Sequence, residues 1–344
     1  MTSREIIRRV LEFDNPPRVG YSFNAPNQSD FSGFWLAAAP KITADNPYRE
    51  WGHYPELLEK VPGFTGEVRR QDGNIFGRVN QKTAGQCIRG FLEDGWENLD
   101  RYIELYLSPF HREDNYDLEK IQSWTEKNRD KFTLSSIVSL QAAARDARKI
   151  DNMLADTITE TENLKYLVNA CTDAAICQTE ILHRFGVDCV MICDDWGLQD
   201  RLYINPESWR EIWKGAYARL IRRLHEQGMK FFLHSCGMIR SIIDDLIEIG
   251  VDVFQFDQPA IYNYDDLSGV MRGKATLYSQ ADIQNVLPKA DKKFIQAEAK
   301  RMMDVFHHNG GFIARDYANY ADINIKDEWA AWAREVFTGT VIAA

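Results

Sequence analysis

The chain has 344 residues, 44% hydrophobic and 27% charged, a balance that supports a large core and excludes a disordered or collagen-like chain. Its formal charge of −10 and the absence of any basic run exclude the clustered Lys and Arg that a nucleic-acid partner demands. No apolar stretch reaches signal-peptide or membrane-spanning character, so a cytoplasmic protein without a membrane partner is expected, and the six scattered cysteines read as reduced thiols.

Residues 1–13 carry charges throughout an apolar stripe and predict a short amphipathic helix. A first strand is expected at Val19–Phe23. Residues 26–130 then turn rich in Trp, Tyr, Pro, Asn and Gly, and include a hairpin pattern from Gly66 to Val79 with Asp72-Gly73 at its turn. This segment is expected to be an insertion or flap over the mouth of one domain spanning 1–344. A second strand is expected at Phe132–Ile137.

From residue 130 onward one unit recurs: an amphipathic stretch, a glycine, then four to six mostly apolar residues that end in polar ones. That is the pattern of a helix, its C-cap and a buried parallel strand. The glycines are Gly186, Gly228, Gly250, Gly273 and the pair Gly310-Gly311. Between them, Asn205-Pro206-Glu207 reads as a helix start, with Trp209, Ile212, Trp213, Ala216, Leu220 and Leu224 on one face. Ile239, Ile242, Ile243, Leu246 and Ile247 repeat the pattern, and 294–306 gives a third such helix. Seven strands are counted, one short of a closed barrel. An open doubly wound sheet is the alternative, but no Gly-rich phosphate fingerprint follows any strand, which favours a TIM-type (β/α)8 barrel with an aromatic-rich N-terminal elaboration.

Barrel enzymes place their chemistry where strands end. The strand Lys230–Leu233 runs into His234-Ser235-Cys236-Gly237, and two residues apart on a strand, His234 and Cys236 point to one side. An imidazole nitrogen and a thiolate so placed suit zinc, while a buried histidine beside an inert cysteine fits the same letters. The strand from Cys189 ends in Asp194-Asp195-Trp196-Gly197. Asp is a poor strand former, so Asp194, Asp195 and nearby Gln199 are candidate catalytic groups, with capping of a turn as the other reading. Two further strand ends carry charge: Asp257 or Asp316 could add an oxygen ligand, and Arg315 could bind a carboxylate, although salt bridges or loop anchors explain them equally. Tyr21, Phe23, Asn24, Trp196 and Tyr317 complete a substrate-binding set at the same end, with plain core as the alternative for the aromatics.

Together these segments resemble the uroporphyrinogen decarboxylase superfamily, and within it the cobamide-dependent methyltransferase branch. The resemblance covers about residues 1–340. It rests on Arg18-Val19-Gly20-Tyr21-Ser22-Phe23, Asp194-Asp195-Trp196-Gly197, Asn205-Pro206-Glu207-Ser208-Trp209-Arg210, Leu233-His234-Ser235-Cys236-Gly237, Asp245–Asp252 and Gly310–Ile313. It implies a (β/α)8 barrel, which supplies the missing strand. It also implies zinc on the His-x-Cys pair, here His234 and Cys236.

Decarboxylases of this superfamily carry an arginine-containing segment after the first strand, where this chain has Ser22-Phe23-Asn24-Ala25-Pro26-Asn27-Gln28. Methyltransferases acting on coenzyme M offer a third ligand, a cysteine after the last strand, where this chain has Arg315-Asp316-Tyr317-Ala318-Asn319-Tyr320-Ala321. The expectation is therefore zinc held by His234, Cys236 and an acid, Asp195, Asp257 or Asp316, with Asp257 as the chosen third ligand. The small-molecule methyl donor would be a methyl ether or similar compound, and a separate corrinoid protein would be the partner. Decarboxylation of a tetrapyrrole is the alternative activity, and non-catalytic corrinoid or tetrapyrrole binding a second. The oligomeric state stays open, with a homodimer among the options.

Overall fold

The computed structural model describes residues 1–34, 66–69, 74–78 and 86–339. The N-terminal helix Ser3–Glu12 forms where expected. It opens with a capping box in which Glu5 N–H donates to the Thr2 hydroxyl at 3.2 Å and Thr2 N–H donates to the Glu5 carboxylate at 2.6 Å. Its apolar stripe, Ile6, Ile7, Val10 and Leu11, is buried.

Eight strands follow: β1 Gly20–Ser22, β2 Phe31–Phe34, β3 Phe132–Ser136, β4 Cys189–Cys193, β5 Lys230–His234, β6 Val253–Phe256, β7 Thr276–Ser279 and β8 Phe312–Arg315. All ladder pairs in this sheet are parallel; β2 to β8 lie side by side in chain order and β8 pairs with β1, which leaves β1 and β2 as the two strands without a ladder between them. The fold is an α/β TIM-type barrel. Each handover glycine has a positive φ; at Gly186 and Gly228, both at 72°, an added Cβ would meet nothing, so backbone conformation alone demands glycine.

The seven expected strands all form. The eighth is β2, inside the segment beginning at 26. Between β1 and β2 the chain returns through Ser29 and Asp30, where Ser22 and Ser29 form an antiparallel bridge and Asp30 N–H donates to Tyr21 O at 2.7 Å. The wholly buried Asp30 carboxylate accepts from Tyr21 N at 2.8 Å, from both Arg18 Nη atoms at 2.7 Å and from the Ser3 hydroxyl at 2.8 Å. Its carbonyl accepts from Phe132 N at 2.9 Å. One residue thus joins the two strands that complete the circle.

Outside the barrel, Gly66–Arg69, Ile75–Arg78 and Gln86–Arg89 form a three-stranded antiparallel sheet, whose first pair is the expected hairpin; Asp72-Gly73 lie outside the described residues. The Asn205 side chain caps its helix, accepting from Glu207 N at 2.8 Å with Pro206 at the first position, and the six apolar residues expected on that face are buried. Ile239, Ile242, Ile243 and Leu246 are buried on the next helix. All six cysteines are free thiols. Among the described residues no helix is long and apolar enough to cross a membrane.

Register and alternation decide what fills the barrel. At the N-terminal end of the strands, Phe132, Cys189, Phe232, Val253 and Ile313 pack against the first helix, which closes that opening. At about 1.5–3 kcal/mol per fully buried aliphatic side chain, Ile7 and Val10 alone make that plug a substantial part of the core. The layers above become polar as the strands approach their C-terminal ends.

A candidate metal centre at the barrel mouth

The loops leaving β4 and β5 run side by side and continue the ladder past the strands. Asp194 N–H donates to His234 O and Gly197 N–H to Cys236 O, each at 3.0 Å, while Trp196 N–H donates to the Ser235 hydroxyl at 3.0 Å. The backbones meet at two glycines. A Cβ on Gly237, whose φ is +74°, would lie 2.3 Å from Gly197 C and O, and one on Gly197 would lie 2.4 Å from Gly237 C. Close approach forces glycine at both positions, and it sets Asp195 beside Cys236.

The result is one cluster. His234 Nε2 stands 3.5 Å from Cys236 Sγ and 3.4 Å from Asp195 Oδ1, and one donor atom from each of the three residues lies within 4.8 Å of the others. Asp195 Oδ1 also accepts from Cys236 N at 2.8 Å. The His234 side chain is 14% exposed and that of Asp195 45%, so the cluster opens to solvent through the acid. Strand β5 ends at His234, and Cys236 reaches the cluster from the following loop rather than from strand alternation.

The electrostatics follow from burial set against neighbours. Burial opposes charge on His234, yet hydrogen bonding to Asp195 and Cys236 outweighs it and raises its pKa well above the ordinary value. Burial likewise opposes charge on Asp195, but the His234 side chain and the Cys236 groups hold it below the usual carboxylate range. Burial pushes the Cys236 thiol up, partly offset by His234.

Nitrogen, oxygen and sulfur donors in this arrangement suit zinc. Tetrahedral bonds of about 2.0–2.3 Å place ligand atoms roughly 3.3–3.8 Å apart, which matches the two separations made by His234. Three protein donors also leave a fourth position open, as catalytic sites require.

Behind the cluster lies a polar ladder across the barrel. His234 is in register with Gln255 on β6, and its Nδ1 hydrogen-bonds the Gln255 side-chain oxygen. Gln255 Nε2 donates to Asp257 Oδ1 at 2.8 Å, and the same oxygen accepts from Gln280 Nε2 and Arg315 Nη1, both at 3.0 Å. The Arg315 guanidinium lies 5.1 Å from the Tyr278 ring centre, and the Tyr278 hydroxyl bonds the Ser22 hydroxyl at 2.8 Å. Arg315 Nε and Gln280 Oε1 are buried without partners.

A model of the uroporphyrinogen decarboxylase family matches residues 133–315, more than half of the sequence. The chain belongs to the uroporphyrinogen decarboxylase family. Among solved structures, a methyltransferase from Methanosarcina mazei is similar over 98% of this chain and 99% of its own, with a TM-score of 0.65 and 16% identity. A B12-independent methionine synthase from Shewanella sp. W3-18-1 aligns over 64% of this chain and 66% of its own, with a TM-score of 0.45 and 9% identity. Xylanase 10B from Thermotoga maritima aligns over 99% of both chains, with a TM-score of 0.43 and 12% identity. No curated protein matches the sequence.

In this family member the expected site residues part company. His234, Cys236 and Asp195 come together; Asp257, expected as the third ligand, instead holds Gln255, Gln280 and Arg315. Asp194, expected to be catalytic, is a wholly buried anchor. It accepts from Leu140 N at 3.1 Å, Ala142 N at 3.0 Å and the Tyr217 hydroxyl at 2.5 Å, capping the helix Leu140–Arg148, and burial raises its pKa. Gln199 is exposed.

Trp196, expected to touch substrate, is buried among Tyr203, Trp209 and Trp213 and donates to the Tyr217 hydroxyl at 3.3 Å. Tyr21 and Phe23 stack at 5.3 Å inside the core, with Arg18 over the Tyr21 ring. Asp316 is buried by Asn24 N at 2.9 Å and Arg334 Nη1 at 2.5 Å, while the Asn24 side chain donates to Tyr317 O at 2.8 Å. Tyr317 is half-buried, and its pKa is raised by burial and by nearby Asp257 and Cys236. Arg315 and Tyr317 thus remain beside the cluster. Sequence reasoning missed Gln255, Gln280 and Tyr278, although a glutamine within Val253-Phe254-Gln255-Phe256 is a visible polar break in an apolar strand.

Proposed function

We propose that the chain is a methyltransferase that holds zinc through Asp195, His234 and Cys236 and moves a methyl group between a small methyl donor and a corrinoid carried by a separate protein. The observation that carries this reading is the nitrogen, oxygen and sulfur triad at the barrel mouth. Bound zinc supplies Lewis acidity to the atom that carries the methyl group. An acid in place of a third cysteine favours a harder donor atom, as in a methyl ether.

The chain's own residues would orient the donor. Arg315 commits Nη1 to Asp257 while its side chain stays partly exposed, so its other Nη can hold an anionic or oxygen-rich end of the substrate. Tyr317, kept as a neutral phenol by its raised pKa, can donate a hydrogen bond in the same space. The partly exposed Asp195 marks the side from which a donor and the corrinoid would reach the centre.

Decarboxylation of a many-carboxylate tetrapyrrole is supported less. The run Ser22–Gln28 contains no arginine, and one guanidinium beside the cluster, that of Arg315, does not match a substrate with many carboxylates.

The test is metal analysis of chelator-free protein, joined to transfer assays from a panel of methyl ethers to cob(I)alamin. About one zinc per chain, lost in His234→Ala together with transfer, is the expected result. Zinc-free protein with full transfer, or transfer unchanged in His234→Ala, would falsify the reading.

A further inference from the structure

We propose that Gln255 is a positioning residue that fixes which nitrogen of His234 faces the metal, and that it takes its own orientation from Asp257 and Arg315. The inference rests on the metal-site reading above. Its logic runs inward from the charged end.

Arg315 offers only donors, so its bond to Asp257 Oδ1 at 3.0 Å makes that oxygen an acceptor, and Gln280 Nε2 adds a second donor to the same atom. The group of Gln255 that lies 2.8 Å from this oxygen must then be its NH2. The reversed amide would place two acceptor oxygens face to face in a buried site, where Gln255 is 3% and Asp257 8% exposed. With its NH2 spent on Asp257, Gln255 presents its carbonyl oxygen to His234, so Nδ1 carries the hydrogen. Nε2 is left for Asp195 and Cys236.

Strand register sets the first step, and Asp257 is the first residue past the end of β6. His234 and Gln255 are neighbours in the ladder between β5 and β6, and Asp257, two residues on, turns its carboxylate back to Gln255 Nε2. Partners behind a metal-binding histidine typically change metal affinity by about 10–100-fold when removed.

Two measurements on the full chain test the proposal: zinc affinity by competition with a chromogenic chelator, and the ring tautomer of His234 by 15N NMR of the metal-free protein at alkaline pH. Gln255→Leu should weaken zinc binding by about 10–100-fold. Asp257→Ala removes the acceptor that holds the Gln255 NH2 and frees the amide to turn, so the neutral ring should shift from Nδ1–H toward Nε2–H although the mutated residue hydrogen-bonds neither ring nor metal ligand.

Wild-type zinc affinity in folded Gln255→Leu would overturn the proposal. So would an unchanged Nδ1–H tautomer in Asp257→Ala, a readout that survives even if Gln255→Leu does not fold. If the wild-type chain binds no zinc, the metal reading fails by itself, and the NMR comparison still decides the role of Gln255.

Discussion

The same eight strands build two opposite chemistries at the two ends of the barrel. At the N-terminal end the inward positions are Phe132, Cys189, Phe232, Val253 and Ile313, sealed by the aliphatic stripe of the first helix. At the C-terminal end the inward and loop positions are Ser22, Asp195, His234, Cys236, Gln255, Asp257, Tyr278 and Arg315, linked by directional bonds. The apolar end derives stability from volume and can absorb small shape changes. The polar end derives geometry from hydrogen bonds, where one lost partner strands another buried group. Stability and function should therefore separate along the barrel axis.

The strongest way to break that comparison is Ile7→Ala. It removes a fully buried side chain from the plug and should cost about 2–5 kcal/mol in urea unfolding, while zinc affinity of the folded fraction stays unchanged. A loss of zinc affinity in proportion to stability would show that the two ends are one cooperative unit.

Gly237→Ala is the converse. Its φ of +74° and the 2.3 Å approach to Gly197 should cost about 2–3 kcal/mol and also abolish tight zinc binding, because the loops can no longer run together. Asp194→Ala, next to the metal cluster in sequence but pointing elsewhere, should cost about 1–2 kcal/mol as a lost helix cap while leaving the metal content of the folded protein intact.

The smallest effect is a matter of pH. Asp252 precedes β6 at the apolar end; burial opposes its charge, but bonds from His225, Lys230 and Phe231 N outweigh it and lower its pKa. A depressed carboxylate stabilises the fold above its unfolded pKa, and that contribution is lost as pH falls through the folded value. Asp252→Asn should flatten the acid limb of stability measured from pH 7 to 3, with little change in the metal site.

Seven strands were legible because each couples a glycine or turn to a short apolar run. The eighth, Phe31-Ser32-Gly33-Phe34, is short, half polar and interrupted by glycine. It also follows β1 without the helical crossover that normally announces the next parallel strand, because the chain doubles back through Ser29 and Asp30. His234 and Cys236 stood out by residue type at a strand end. Asp194 and Asp195 did not resolve, since two adjacent acids look alike until the loop shows which one turns into the wall. Asp257 was misplaced for a related reason: sequence supplies an acid at the right height but not the arginine that already occupies it.

The Asp30 closure gives the barrel an uneven stiffness. Among the described residues seven seams are parallel ladders, whereas at the eighth β1 meets only the short return through Ser29 and Asp30 that leads into β2. The first helix closes the base, so the rim on the β1–β2 side rests on fewer backbone pairings than the β4–β5 side, where Asp195, His234 and Cys236 stand.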